Sequence, residues 1–175
     1  MGRYRDLVAA ALFAAAALTV FVIEAQIPLP IAIPGIKLGL SNALILMAMR
    51  LCGRRWAFLV LLLKTVLGAV FCGTPVSLLY SAAGGLLCYA VTSLLTGVMT
   101  DGQIPFLSVA GAVAHNTGQI AVAAAIMGTA GVFSYLPLLT AAAVVTGLFT
   151  GSAAAFSVKG LKKSKFFYSD GSKKE

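Results

Sequence analysis

Pro28-Leu-Pro-Ile-Ala-Ile-Pro-Gly-Ile-Lys37-Leu-Gly-Leu-Ser-Asn42-Ala-Leu-Ile-Leu-Met-Ala-Met-Arg50-Leu-Cys-Gly-Arg54-Arg55 is the stretch on which the fold turns. Its apolar part, Ile31 to Leu51, approaches the roughly 20 residues that a helix needs to cross the hydrocarbon of a bilayer. Pro34-Gly35 interrupts it and leaves about 14 unbroken residues, a length that also suits a re-entrant segment. The charges decide between the two. If the segment crosses, Arg3, Arg5, Arg50, Arg54, Arg55, Lys159, Lys162, Lys163, Lys165, Lys173 and Lys174 lie on one side, eleven of 13 basic residues. A re-entrant segment would put the Arg50 to Arg55 cluster outside, against the positive-inside rule. The sequence therefore predicts an all-α integral membrane protein of about six transmembrane helices with both ends in the cytoplasm.

The remaining spans follow from length and turn residues: Leu7 to Ile27, Trp56 to Phe71, Pro75 to Val98, Ile104 to Met127 and Val132 to Phe156. Residues 1–156 form one membrane domain and 157–175 a basic cytoplasmic tail. Composition agrees, since 60% hydrophobic and 10% charged residues, with mean hydropathy +0.99, lie outside the range of soluble domains. The net charge of +8 gathers at the chain ends and around positions 50 to 55, which is membrane topology and not a nucleic-acid surface. Arg3 and Arg5 before Leu7 to Ile23 resemble a signal peptide, but this run exceeds the roughly 7 to 15 apolar residues of one, so it is read as an uncleaved helix. Cys52, Cys72 and Cys88 are odd in number and widely spaced, and read as structural thiols.

Polar groups at membrane depth are costly unless they face a partner or a water-filled cavity. The candidates are Glu24 at the outer end of the first helix, Lys37 and Asn42 at the start of the second, Lys64 midway along the third, and His115, Asn116 and Gln119 in the fifth. His115 and Gln119 share a helix face, with Asn116 on the neighbouring stripe. They line one ligand cavity or, equally well by chemistry, bond neighbouring helices. Three prolines between Pro28 and Pro34 hold that segment extended before a helix expected to start near Gly35, whose unpaired amides, with Lys37 in its first turn, suit an anionic or carbonyl ligand. The bland alternative is a bend whose lysine snorkels to the headgroups. Lys64 is either a cavity cation or the partner of Glu24. Gly35 with Gly39, Gly147 with Gly151, Ala10 with Ala14 and Ala11 with Ala15 repeat at four-residue spacing, which permits close backbone approach inside the bundle or against another subunit.

Several chemistries are absent. There is no Gly-x-x-x-x-Gly-Lys phosphate loop. Asp6, Asp101 and Asp170 are isolated, so no paired-aspartate magnesium site for a diphosphate is expected, and a lone histidine argues against a metal or haem site.

Pro28-Leu-Pro through Pro34-Gly-Ile-Lys-Leu-Gly-Leu-Ser-Asn42, with Glu24 before it and His115-Asn116-x-Gly118-Gln119 after it, closely resembles the bacterial Gx transporter family, also called heptaprenyl diphosphate synthase component I. The resemblance covers about residues 7 to 156. That family is similar in turn to the S-components of energy-coupling-factor transporters, six-helix proteins with cytoplasmic ends. The resemblance implies a binding subunit in the bacterial cytoplasmic membrane that captures a small molecule, vitamin-like or related to isoprenoids or quinones, near the outer face. It implies docking onto a membrane coupling subunit, driven by ATPase subunits, through small residues matched here by Ala10, Ala11, Ala14 and Ala15. Glu24, Lys37, Asn42, Lys64, His115, Asn116 and Gln119 would then contact the ligand, with no metal, catalytic residue or cofactor. The synthase name implies aspartate-rich motifs that this chain lacks, and it is read as a gene-neighbourhood label. The alternative is an accessory subunit for extracytosolic electron transfer, working with a partner and a flavin or quinone.

Overall fold

A computed structural model describes residues 2–27, 39–72 and 75–164. They fold into six α-helices: α1 (Gly2–Glu24), α2 (Asn42–Leu51), α3 (Arg54–Cys72), α4 (Pro75–Thr96), α5 (Ile104–Met127) and α6 (Leu136–Lys163). Short 3-10 turns, Asp101–Gln103 and Ala130–Tyr135, precede α5 and α6, and no strand occurs among the described residues. The boundaries have local causes. Pro105 and Pro137 sit in the first turns of α5 and α6, where a missing N–H costs nothing. Gly53 and Gly128 take φ of +94° and +64°, the left-handed conformations that end α2's connection and α5. A Thr100–Gln103 capping box fixes the turn before α5.

Four helical stretches are long and apolar enough to cross a membrane: Tyr4–Glu24, Pro75–Thr96, Asp101–Met127 and Ala130–Lys163. The burial pattern is that of a lipid-facing bundle. Leu12, Ile23, Val66, Val70, Phe71, Leu94, Phe106, Val145, Phe149 and Phe156 point outward, whereas inward positions are dominated by Ala, Gly, Ser and other polar residues. In water such an apolar exterior would aggregate; in lipid, small inward residues let helices approach closely.

Two expectations need correction. The second helix starts at Asn42 and not near Gly35, because Gly39 adopts φ +78° and Leu40 and Ser41 form a turn. At about 1.5 Å per residue its ten residues span about 15 Å, half a bilayer core. Lys37 and the Pro28 to Pro34 segment lie outside the described residues. The sixth helix runs past Phe156 to Lys163, so Lys159, Lys162 and Lys163 are helical where the sequence placed the start of the basic tail. From residue 165 the tail lies outside the described residues.

One end of the bundle gathers the charges. Arg50, at the end of α2, donates to the carbonyls of Met99 (2.9 Å) and Thr100 (3.4 Å) and lies 3.7 Å from the Asp101 carboxylate. Lys162, at the end of α6, pairs with the same Asp101. The Tyr89 hydroxyl donates to the Arg54 carbonyl at 3.0 Å, bringing the last turns of α4 to the start of α3. Burial pushes the Cys52 thiol up to about 11, with Asp6 adding to the shift and Arg5 opposing it. Ala9 and Leu12 of α1 line one groove with Leu161 and Ser164 at the end of α6. The first and last described helical turns thus share one end. Cys52 is a neutral thiol at pH 7, and it and Cys88 are both free.

The core has three apolar clusters. Ala10, Ala14 and Ala17 of α1 pack with Ile45, Ala48 and Met49 of α2 and Ala57, Val60 and Leu61 of α3. Leu46, Ile104, Leu107, Ala154 and Val158 hold the charged end, and Tyr80, Ile120, Ala123, Val132 and Leu139 the opposite one. Between them lies a polar layer.

Candidate functional site

The break before α2 builds this layer. An N-cap serine commonly offers its oxygen to a backbone amide of the first turn. Ser41 has no such bond; its Oγ instead accepts from Lys64 Nζ at 3.2 Å. Asn42 Oδ1 accepts from the same ammonium at 3.3 Å, and Nζ stands 5.2 Å from the centre of the Phe21 ring. The amides of Asn42, Ala43 and Leu44 donate to the carbonyls of Gly39, Leu40 and Ser41. The unpaired amides expected at this helix start are therefore already used. Three residues before Asn42, the Gly39 N–H donates to the Glu24 carboxylate. A side chain of the protein thus occupies the anion position that the sequence assigned to a ligand.

His115 closes the layer from α5. A methyl group built on Gly39 would stand 2.7 Å from His115 Cδ2, and one on Gly84 would stand 2.8 Å from Cε1. The imidazole is wedged edge to edge between two backbones that only glycine lets so near. Lys64 lies ten residues into α3 and His115 eleven into α5, each about 15 Å from the charged end, level with the start of α2. Glu24, Asn42, Lys64 and His115 meet halfway along the bundle, and all are buried.

The remaining candidates divide. Asn116 is fully buried, and its Nδ2 donates to the Leu139 carbonyl at 2.8 Å, so it turns away from His115 and ties α5 to α6. Gln119, also fully buried, lies one turn beyond His115 on the same face. On α1, Ala10 and Ala14 are buried against α2 and α3, whereas Ala11 and Ala15 are exposed. Of the four alanines only Ala11 and Ala15 are open to a partner, with the exposed Ala16 beside them. Ser41, Ser81, Phe21, Gly39 and Gly84 join the layer without having been singled out as contacts. Gly84-Gly85 in the middle of an apolar helix was the available signal, since glycine there is costly unless something must come close.

The layer is packed. The gap lined by Phe21, Glu24, Gly39, Ser41, Lys64, Ser81 and His115 has no room for a water molecule. A neighbouring cavity of about 10 Å³, lined by Gly39, Asn42, Thr92, Ser108 and Thr146 among others, is about the size one water needs. Buried polar atoms are nearly always bonded. Asn42 Nδ2 and Ser81 Oγ have no partner among the described residues.

The bond from Asn116 makes a separable prediction. Asn116→Leu should cost about 1 to 3 kcal/mol by leaving the Leu139 carbonyl buried without its donor. Thermal unfolding in detergent should fall while the environment of His115, followed by its imidazole NMR signals, stays unchanged. A shifted imidazole would show that Asn116 belongs to the central layer after all.

An apolar exterior, four membrane-length helices and a buried polar layer halfway along define a helical membrane protein. The chain belongs to the family described as heptaprenyl diphosphate synthase component I, whose family model matches residues 13–157 and which is the family its two motifs resemble. No curated protein and no solved structure matches the chain.

Proposed function

We propose that the chain is a membrane substrate-binding subunit of an energy-coupling-factor-type transporter, taking up a small vitamin-like or isoprenoid-related molecule through the layer of Glu24, Asn42, Lys64 and His115. One observation carries this reading: four ionisable or amide side chains from four helices converge at the start of a half-length helix, deep in a bundle whose exterior is apolar. Interrupted helices whose ends meet polar groups halfway across are how transport proteins place binding sites. In this reading Glu24 holds the place that a ligand's acceptor would take at the Gly39 amide. Asn42 Nδ2 and Ser81 Oγ are the donors left for the incoming molecule.

Asp6 pairs with Arg5, and Asp101 with Arg50 and Lys162. These carboxylates are engaged in holding the charged end, so in this reading diphosphate synthesis belongs to other chains. The exposed Ala11 and Ala15 form the docking face for a coupling subunit. Gentle purification tests both parts. A small molecule identified by mass spectrometry should accompany the parent protein and be lost from His115→Ala, and membrane and ATPase subunits should copurify with the parent and not with Ala11→Leu. A retained flavin or quinone would favour extracytosolic electron transfer instead. Failure to retain any molecule, together with no thermal shift from a vitamin panel, would overturn the binding reading.

Six crossings with cytoplasmic ends complete this reading. The charged end, with Arg5, Arg50, Arg54, Arg55, Lys159, Lys162 and Lys163, faces the cytoplasm by the positive-inside rule. Gly102 and Gly131 lie beyond opposite ends of the 24-residue α5. A cysteine introduced at Gly131 should react with an impermeant reagent on intact cells, and one at Gly102 only after lysis. The reverse pattern excludes this orientation.

A further inference from the structure

We propose that a groove at the charged end of α6 binds the phosphate headgroup of an anionic phospholipid. The groove, of about 880 Å³, runs between the Asp101 turn and the last turns of α6, with Ala155 and Phe156 on one part of its wall and Lys159, Lys162 and Lys163 on another. Phe156, Lys159 and Lys163 are spaced three and four residues apart, so they follow one helix face. At about 1.5 Å per residue, Lys159 stands about 4.5 Å beyond Phe156 along the axis, and Lys163 about 10.5 Å beyond it. Phe156 is 82% exposed, an apolar ring one turn inside the first ammonium. This is the order in which a lipid of the adjoining leaflet presents acyl chain and then phosphate.

The charge balance suits a phosphate. Asp101 is covered by Lys162 and by Arg50 at 3.7 Å, whereas Lys159 and Lys163 are exposed and make no ion pair among the described residues. Lys159, Lys162 and Lys163 against Asp101 leave a net charge of 3 − 1 = +2 on the groove's lining. Free phosphate would use the ammonium groups and gain nothing from Phe156; a diacyl lipid uses both. The site is separate from the polar layer and rests only on the membrane character of the fold.

Native mass spectrometry of the full chain in detergent micelles tests this, with dioleoyl-phosphatidylglycerol and dioleoyl-phosphatidylcholine as probes. Phosphatidylglycerol adducts should survive at activation energies that strip phosphatidylcholine. Their apparent affinity should fall about thirtyfold in Lys159→Gln/Lys163→Gln, since each lysine near an anionic lipid contributes on the order of 1 kcal/mol. The charge-matched Arg54→Gln/Arg55→Gln should bind as the parent does, and so should Lys159→Arg. Millimolar inorganic phosphate should not displace the lipid. Equal loss in both glutamine doubles, equal retention of the two lipids, or displacement by phosphate would each overturn the proposal, the last by assigning the groove to a soluble anion. Because both lysines are exposed, the helical content of each variant should match the parent, and the lipid comparison is made on protein that meets that condition.

Discussion

Lys64→Met should be among the most damaging single substitutions in this chain, lowering stability by about 3 to 5 kcal/mol. Lys64 is 1% exposed and Glu24 4%, and both line the same closed gap. Removing the ammonium takes the donor from Ser41 Oγ and Asn42 Oδ1 and leaves the Glu24 carboxylate facing a thioether in a low-dielectric interior. Breaking a buried charge arrangement from one side costs more than the arrangement contributes, because the remaining charge keeps its desolvation penalty. Glu24→Gln alone should also destabilise, by less, since the amide oxygen still accepts from Gly39 N–H. The informative protein is the double variant, in which no carboxylate remains to be stranded. Glu24→Gln/Lys64→Met should recover a large part of the loss, which thermal unfolding of the four proteins in one detergent would measure as a coupling energy. Strict additivity would mean that the two side chains do not share a charge-balanced centre, and the polar layer would then divide into two unrelated contacts.

The legibility of the fold and of the site followed different rules. Helices made of continuous apolar sequence were readable because length and hydropathy alone specify them: the expected Ile104 to Met127 is α5, and Pro75 to Val98 differs from α4 by two residues. The end of the second segment at Leu51 was legible, but its helix start was misplaced because Gly39, Leu40 and Ser41 look compatible with a start at Gly35. What ends the turn is tertiary, since Ser41 turns its hydroxyl to Lys64 and Gly39 its amide to Glu24. No local signal encodes either partner. Lys64, His115 and Glu24 were legible as candidates because a polar group in an apolar run has few explanations. Asn116 was grouped with His115 by adjacency, and a one-residue step around a helix turned it to α6 instead. The alanines of α1 divided for the same reason: spacing reveals that small residues share a face but not whether the face looks inward.

Gly151→Ala should destabilise by about 1 to 3 kcal/mol, although alanine is the better helix former by up to about 1 kcal/mol. The added methyl group would stand 2.6 Å from Pro105 Cα, 2.7 Å from Ser108 Cβ and 3.1 Å from the Pro105 carbonyl oxygen. Two of those atoms are backbone and cannot rotate away, so α6 must retreat from α5. A methyl group added at Gly147, one turn earlier, would likewise stand 2.8 Å from Val109 Cα. The pair that the sequence offered as either a packing seam or a docking face is an internal seam. On its other side α5 is gripped by Gly118, where a methyl group would meet the Ala83 carbonyl oxygen at 2.8 Å, and by Gly84 against the His115 ring. Close approach on both faces fixes the rotation of α5 and with it the position of His115, so the seam bears on the site 36 residues away in sequence. Gly160, on the same helix with nothing within 4 Å of an added methyl group, supplies the control. Gly160→Ala should be neutral or stabilising, Gly151→Ala destabilising, and Gly147→Ala/Gly151→Ala worse than either single change, in unfolding monitored by circular dichroism. If Gly151→Ala unfolds at the same temperature as Gly160→Ala, α5 and α6 are not packed backbone to backbone, and the placement of His115 by that seam fails with them.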